Sequence, residues 1–328
     1  MDKKTRICTI GGGTGMPIIN EALVMVGFRD IKSVVSTFDS GGDTGRLRTD
    51  ERGQILANSD YWRSLISLWN DGEQKRVWEE MLRYRDGRAR NFGNTFFQFM
   101  SEKVNGLSNV SELFKKLTLA DISGEVIPVS LSPAEICFEC VSGKRYKGER
   151  YLDELRMSKD WVQKLWLEPK INANPVAVRA LTESELIIVC PGSVQGSLLT
   201  NFLAEGMSEA FVKSQAKKML IVNIMASGNE GKIKNQNDYL TLFKKYLKCD
   251  FDLVLMADMS SLEDKKLSRV LKYYEMENSS LIEYLPNSKC KCDVRDVATI
   301  DEVNWRLRHS AQKLANYFAK MVICPKRD

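Results

Sequence analysis

The chain has 328 residues, 43% hydrophobic and 28% charged, a balance that allows a large buried core and is ordinary for a globular protein. Its net charge of +5 comes from 48 basic and 43 acidic residues interleaved along the sequence, which reads as solvated surface and argues against a nucleic-acid-binding stripe. No apolar run reaches membrane-spanning length, and Met1-Asp2-Lys3-Lys4 leads into a strand without the apolar core of a signal peptide, so no membrane span and a cytoplasmic location are expected.

Arg6–Ile10 reads as a buried strand, Gly11-Gly12-Gly13-Thr14-Gly15 as a tight turn, and Met16–Met25 as a helix with apolar residues at helical spacing. Strand, glycine turn and helix make a phosphate cradle: glycines let a ligand approach the backbone, and the helix N-terminus offers unpaired N–H groups at a positive dipole end. The spacing misses the dinucleotide fingerprint, because Met16 stands where a third spaced glycine belongs. It also misses the phosphate-loop pattern, because no Gly-Lys-Ser/Thr follows. A strand-to-helix turn without a ligand is the alternative.

Ile31–Thr37 predicts a second strand, and the glycine-rich stretch Asp39–Arg48 reads as a loop after it. Ligands in open α/β sheets bind at the carboxyl ends of strands, so this loop should share the crevice of the first. Asp39 and Asp43 could hold a hydrated Mg²⁺, and Arg46 and Arg48 could pair with phosphate oxygens; an acid–base network that only shapes the loop is the alternative. Ser59–Trp69 predicts a helix with Trp62, Leu65, Ile66 and Trp69 on one face, where Asp60 is either a cap or another carboxylate facing the ligand. Helices are expected over Gln74–Tyr84, Thr95–Met100 and Val110–Leu117, with Asn94 capping or lining the site.

Glu125–Leu131, Ala134–Val141 and Arg145–Tyr151 read as short strands, a β-rich antiparallel insertion over 125–151. The alternating pattern then resumes with helix Asn174–Leu181, strand Glu185–Cys190 and a second strand–loop–helix at Pro191-Gly192-Ser193-Val194-Gln195-Gly196-Ser197. The Ser193 and Ser197 hydroxyls suit a phosphate or the polar edge of a sugar. Strands Lys218–Met225 and Phe251–Asp258 follow, with helices around 200–216, 236–247 and 263–277. The tail, 281–328, reads as an extension: a polar stretch Pro286–Arg295 and a long helix Asp301–Val322 that packs on the sheet or serves a homodimer.

Eight cysteines make no convincing metal pattern: Cys137 and Cys140 lie three apart on a strand and so point to opposite faces, and Cys290-x-Cys292 lacks a second pair beside it. Cys8, Cys190, Cys249 and Cys324 read as small core residues. The one histidine, His309, falls in the predicted tail helix, far from every glycine motif. Zinc, haem and NAD are not expected.

Taken in order, several motifs resemble one family: Ile10–Gly15, Asp39–Arg48, Asn91-Phe92-Gly93-Asn94, Val126–Val129, Gly148-Glu149, Cys190-Pro191-Gly192-Ser193, and Val222-Asn223-Ile224-Met225 with Gly228 and Glu230. The chain is similar to the CofD-like (2-phospho-L-lactate transferase) superfamily, and most similar to its YvcK-like branch of gluconeogenesis factors, which bind a UDP-linked amino sugar. The resemblance implies a single domain over 1–328, an α/β Rossmann-like fold with a mostly parallel sheet and helices on both faces. It implies a nucleotide-sugar ligand and a regulatory role in central carbon metabolism or cell-wall precursor balance. Gly11, Gly12, Gly13, Thr14, Gly15, Gly192 and Ser193 would hold the diphosphate, Asp39 and Asp43 polar groups or Mg²⁺, and Arg46 and Arg48 would neutralise phosphate. Gly41, Gly42, Asn94, Ser197 and Asn223 complete the implied pocket. The transferase branch implies a second reading, transfer of a phosphate-linked group from a nucleotide donor with Mg²⁺, for which Asp39, Asp43 and Asp60 are the catalytic candidates. A sensor acting through partner proteins is a third. The chain departs from the family pattern at Ser40, Asp43-Thr44, Ala89-Arg90 and Val194–Ser197.

Overall fold

The computed structural model describes residues 3–50, 55–154, 159–231, 233–286 and 290–323. Strand β1 (Ile7–Gly11) is buried along its whole length and feeds helix α1 (Gly15–Val26), after which β2 (Ile31–Val35) returns alongside β1. Five helices follow: α2 (Gly42–Asp50), α3 (Ser59–Ser67), α4 (Glu73–Arg83), α5 (Phe92–Lys103) and α6 (Val110–Thr118). Strand β3 (Gly124–Pro128) pairs parallel with β2. A separate antiparallel sheet is built from β4 (Glu135–Cys140), β5 (Arg145–Lys147) and β6 (Val162–Glu168), in the order β5-β4-β6.

The second half alternates. Helix α7 (Pro175–Glu183) precedes β7 (Leu186–Val189); α8 (Met207–Lys213) precedes β8 (Lys217–Ile221); β9 (Met225–Ser227) and α9 (Gln236–Leu247) precede β10 (Leu253–Asp258). Helix α10 (Asp264–Met276), β11 (Ser279–Leu281), β12 (Cys292–Asp296), the hairpin β13 (Ala298–Asp301) and β14 (Arg306–His309), and α11 (Ala311–Ile323) follow in the described residues. The main sheet has seven strands in the order β12-β10-β8-β7-β1-β2-β3, every neighbouring pair parallel. Such strands are covered on both faces and therefore read as continuous apolar runs. Ile7 enters the core shared with α1, α3, α5 and α11, while Cys8 and Ile10 enter the core on the other face.

The chain leaves β1 toward β2 and β3, then crosses back to build β7, β8, β10 and β12 on the other side. β1 and β7 thus flank the point where strand order reverses, and the connections from their carboxyl ends open a crevice. Both glycine-rich loops leave from there.

Several segments differ from the sequence reading. Residues 124–128, expected to open the β-rich insertion, are an edge strand of the main sheet; the antiparallel sheet starts one strand later and takes its third strand from Val162–Glu168. The stretch after Asp39 is not all loop, because α2 starts at Gly42 and gains Asp43 in its first turn and Arg48 in its last, both favourable to the helix dipole. The polar stretch 286–295 contributes the edge strand β12. The run 218–225 is split: β8 ends at Ile221, and Met225 begins β9, which pairs antiparallel with β11. Of the helix expected over 200–216, α8 occupies only residues 207–213, after a chain of tight turns. The tail helix begins ten residues late, at Ala311, and His309 lies on a strand. The cause is a turn at 301–305: the Asp301 carboxylate accepts the Val303 and Asn304 N–H groups, and Trp305 takes a positive φ of 52°, which ends any helix there. A register shift between Glu139 and Cys140 leaves both Cys137 and Cys140 buried. Cys324 lies outside the described residues.

Candidate functional site

The two glycine loops touch. A Cβ on Gly15 would collide with the Pro191 carbonyl oxygen, so only glycine lets α1 begin against the second loop. Ser197, at the end of that loop, lies against Gly12 and Gly13, and its hydroxyl has no hydrogen-bond partner among the described residues. Asn223, after β8, closes the far side: its amide donates to the Gly192 carbonyl at 2.8 Å and accepts the Gly192 N–H at 2.8 Å. The side chain thus pairs with both backbone groups of one residue, as a neighbouring antiparallel strand would. The Asn223→Leu variant is expected to cost about 1–3 kcal/mol in urea unfolding, because it leaves both Gly192 groups without that partner. Ser193 Oγ accepts the Gly196 N–H at 3.1 Å, and Glu230 accepts the Val194 N–H at 2.7 Å.

Carboxylates crowd the other wall. Asp39 accepts the Gly41 N–H at 2.8 Å and the Ser59 hydroxyl at 2.9 Å. Asp60 tucks beneath Gly12, accepts a hydrogen bond from the Gly13 backbone and lies 3.5 Å from Arg63. Burial first, then the Asp39 charge, pushes its pKa up to about 6 against the pull of Arg63. Glu149 reaches between the loops, its two oxygens within 3.4 Å of where a Cβ would stand on Gly41 and 3.1 Å of one on Gly196. Burial, then Asp39 and Asp153, raise it well above the usual carboxylate range. Asp153 is raised by burial and by Asp39, and burial pushes Glu230 up to about 7.

Beside the glycine loops lies a cavity of about 310 Å³, lined by Thr14, Gly15, Gly192, Ser193 and Gln195, by the carboxylates Asp153 and Glu230, and by Tyr274, Arg308 and His309. Arg308 Nη1 donates to Thr14 Oγ1 at 3.5 Å, which brings a cation from β14 to the first glycine loop. The Tyr274 hydroxyl accepts the Leu307 N–H at 3.2 Å and so fixes β14 to α10. His309 is buried and held neutral, its pKa lowered by burial to about 4.

The residues expected at the site divide into two groups. Thr14, Gly15, Gly192, Ser193 and Asn223 line the cavity, and Gly11–Gly13, Asp39, Gly41, Asp60 and Ser197 cluster beside it. Gly42, Asp43, Arg46, Arg48 and Asn94 belong to the scaffold behind it. Gly42, at φ 47°, starts α2. Asp43 accepts from Asn94 Nδ2 at 2.9 Å and from the Asn91 N–H at 3.1 Å, and Asn94 Oδ1 accepts from Trp62 Nε1 at 2.9 Å. Arg46 donates to the Arg88 and Ala89 carbonyls, both at 3.0 Å. Arg48 donates to the carbonyls of Phe38, Asp39 and Ala134 and lies 2.8 Å from Glu135. Glu149 and Glu230 carried only the resemblance in the sequence, and Asp153, Tyr274 and Arg308 carried no local signal. A metal cage does not fit the protein groups alone: among the described residues no three His, Cys, Asp or Glu side chains converge to hold an ion. Of the two aspartates expected to hold Mg²⁺, Asp43 is taken up by Asn91 and Asn94, which leaves Asp39. No helix among the described residues is long and apolar enough to cross a membrane.

The chain is similar to known proteins over most of its length. The profile of the family described as 2-phospho-L-lactate transferase CofD matches residues 7–299 and stops short of Arg308. A provisionally named gluconeogenesis factor of Aquifex aeolicus is 32% identical over 266 residues, 78% of this chain and 77% of that protein. The gluconeogenesis factor of Bacillus subtilis is 25% identical over 291 residues, 87% of each chain. A solved UPF0052-family protein of Bacillus halodurans shares the fold, with a TM-score of 0.83 at 22% identity over 96% of this chain and 99% of that one.

Proposed function

Because this chain belongs to the 2-phospho-L-lactate transferase CofD family and has gluconeogenesis factors among its relatives, we propose that it binds a UDP-linked sugar between β1 and β7 and acts as a cytoplasmic regulator of central carbon metabolism or cell-wall precursor balance. One observation carries the reading: two glycine loops in backbone contact at Gly15 and Pro191 line a cavity of about 310 Å³, with Arg308 beside Thr14 of the first loop. Backbone N–H groups, the α1 N-terminus and the Ser193 and Ser197 hydroxyls suit a diphosphate. Arg308, rather than Arg46 or Arg48, supplies the cation to it. The acidic wall repels a bare diphosphate, so Mg²⁺ belongs to the complex as a hydrated ion shared by Asp39 and the phosphates.

A ligand bound only by the folded state raises the melting temperature by mass action; at a hundredfold excess over Kd this is about 2.7 kcal/mol, or ~5 °C for a chain of this size. UDP-N-acetylglucosamine with Mg²⁺ is expected to give such a shift. Arg308→Gln should abolish it without lowering the ligand-free melting temperature, and EDTA should reduce it. No shift with any nucleotide or nucleotide sugar overturns the reading.

The transferase reading rests on Asp60, whose raised pKa suits a general base near neutrality. Release of free nucleotide from the donor, followed by phosphorus NMR, would establish it; an intact donor after long incubation leaves the regulator.

A further inference from the structure

The end of the sheet away from the glycine loops holds a second cavity, of about 240 Å³. It lies at the amino ends of β1, β2 and β3, beside α7. Residues two apart on a strand share a face, so Lys32 stands in line with Val34, and Glu125 with Ile127. Val34 and Ile127 are register partners and belong to one buried core with Ala177, Ala180 and Leu181 of α7. The next pair on that face toward the amino ends, Lys32 with Glu125, is charged. The apolar face breaks off there. What is left is a cavity lined by Ile127, Val176 and Ala180 on the one hand and by charged groups on the other.

The charges identify the ligand class. The lining bases Arg6, Lys32 and Arg179 are matched by the acids Asp30, Glu125 and Glu183, so the cavity favours neither a bare anion nor a bare cation. An ammonium and a carboxylate carried by one small molecule can both be met. Some of these charges are already engaged: Lys32 donates to Glu125 at 3.0 Å and lies 3.8 Å from Asp30, and Arg6 lies 3.8 Å from Glu185. Arg179 and Glu183 are different. They stand one turn apart on α7, about 6 Å along its axis, and neither has an ion pair or a side-chain hydrogen bond among the described residues. They leave each other free because a base four residues ahead of an acid is the less favourable order on a helix. Glu183 is also the last residue of α7, where a carboxylate opposes the helix dipole. An acid set against its own helix, one turn from an unengaged guanidinium, suits a ligand bearing both charges. The volume, below the ~300 Å³ of the smaller drug-sized pockets, limits that ligand to a small metabolite.

We propose that this cavity binds a free α-amino acid with an apolar side chain. Arg179 takes its carboxylate, Glu183 its ammonium, and Ile127, Val176 and Ala180 its side chain. The cavity shares no lining residue with the one beside the glycine loops, so it stands or falls independently of the nucleotide-sugar reading.

Thermal unfolding of the full chain with alanine, valine, leucine, isoleucine, methionine or phenylalanine, each at about 10 mM, tests it. At least one of them is expected to raise the melting temperature by about 3 °C, the rise given by a ligand at tenfold its Kd. The amide of that amino acid, which lacks the carboxylate, and its deaminated acid, which lacks the ammonium, should each give about 1 °C or less. Arg179→Gln and Glu183→Gln should each weaken binding at least about tenfold and so cut the shift to about 1 °C. Both side chains are exposed, so the ligand-free melting temperature should stay within about 1 °C of wild type. No shift with any of the six amino acids overturns the proposal. A shift that survives both variants, or one that the deaminated acid reproduces in full, overturns it as well.

Discussion

Replacing Arg48 by alanine is expected to lower the melting temperature by roughly 6–10 °C, from a loss of about 3–5 kcal/mol at ~2 °C per kcal/mol. The side chain is only 4% exposed, and its guanidinium donates to three main-chain carbonyls besides meeting Glu135. Those carbonyls belong to the turn after β2 and to the connection before β4, so one side chain fastens the Asp39 loop to the antiparallel sheet. Without it, the Phe38 and Ala134 carbonyls lose a charged donor in a place where water is scarce, and Glu135 loses its partner. Arg46, two residues earlier, is 46% exposed and caps carbonyls at the rim. Arg46→Ala should move the melting temperature by about 1 °C or less, as surface substitutions do. Thermal unfolding followed by circular dichroism compares the two. Equal small effects would show that Arg48 does not hold the loop. Since neither arginine faces the cavity, neither substitution should resemble Arg308→Gln, which removes the ligand shift and spares the ligand-free fold.

Stability should fall as pH rises from 6.5 to 8.5. Glu149, Asp153 and Glu230 all have folded-state pKa values above their ordinary ones, chiefly through burial, with Glu230 reaching about 7. A group of this kind binds its proton more tightly when folded. Its stabilising effect is complete below its ordinary pKa of about 4 and is lost as pH climbs through the raised value. His309 acts in the opposite direction, because burial holds it neutral down to about 4. Its effect is confined to pH below about 6.5, where the unfolded chain takes up the proton first. Above that, the carboxylates act alone. The melting temperature is expected to drop by several degrees, on the order of 3–6 °C, across that interval. Glu149→Gln should flatten the drop, since it removes both one titrating group and a charge beside Asp39 and Asp153. A flat or rising profile in the wild-type chain would contradict the raising of these carboxyl groups by burial.

The parts of the molecule visible in the sequence were those set by local patterns. The run Ile7–Ile10 is apolar at every position or nearly so, as a strand covered on both faces must be. Helix α9 ends where it was expected, and its start is fixed by Asn235, which accepts from Asn237 and Asp238 while Asp238 reaches back. Contacts between distant segments left no such trace. Arg46 and Arg48 look equivalent in a loop, but two helical residues point about 200° apart, so once α2 forms one is buried and the other exposed. An edge strand of a parallel sheet and a hairpin strand share the same short alternation, which is why 124–128 read as part of the insertion. Trp305 takes its positive φ with Arg269 of α10 lying 3.6 Å over its ring, a partner 36 residues away in the sequence. That turn joins β13 to β14, which carries Arg308 to the cavity.

The position of β1 bears on how the chain is made. Its partner on one side, β2, emerges within about two dozen residues, but the other edge waits for Leu186 to reach Ile7. At typical synthesis rates of about 5–20 residues per second, that edge stands open on the ribosome for roughly 10–35 s. During that time β1 to β3 can assemble with α1 to α6, yet the central strand presents an apolar edge with unpaired N–H and C=O groups. Fragments that end before β7 are therefore expected to aggregate, whereas the nascent chain depends on shielding by a chaperone or on speed to keep that edge free for Leu186–Val189.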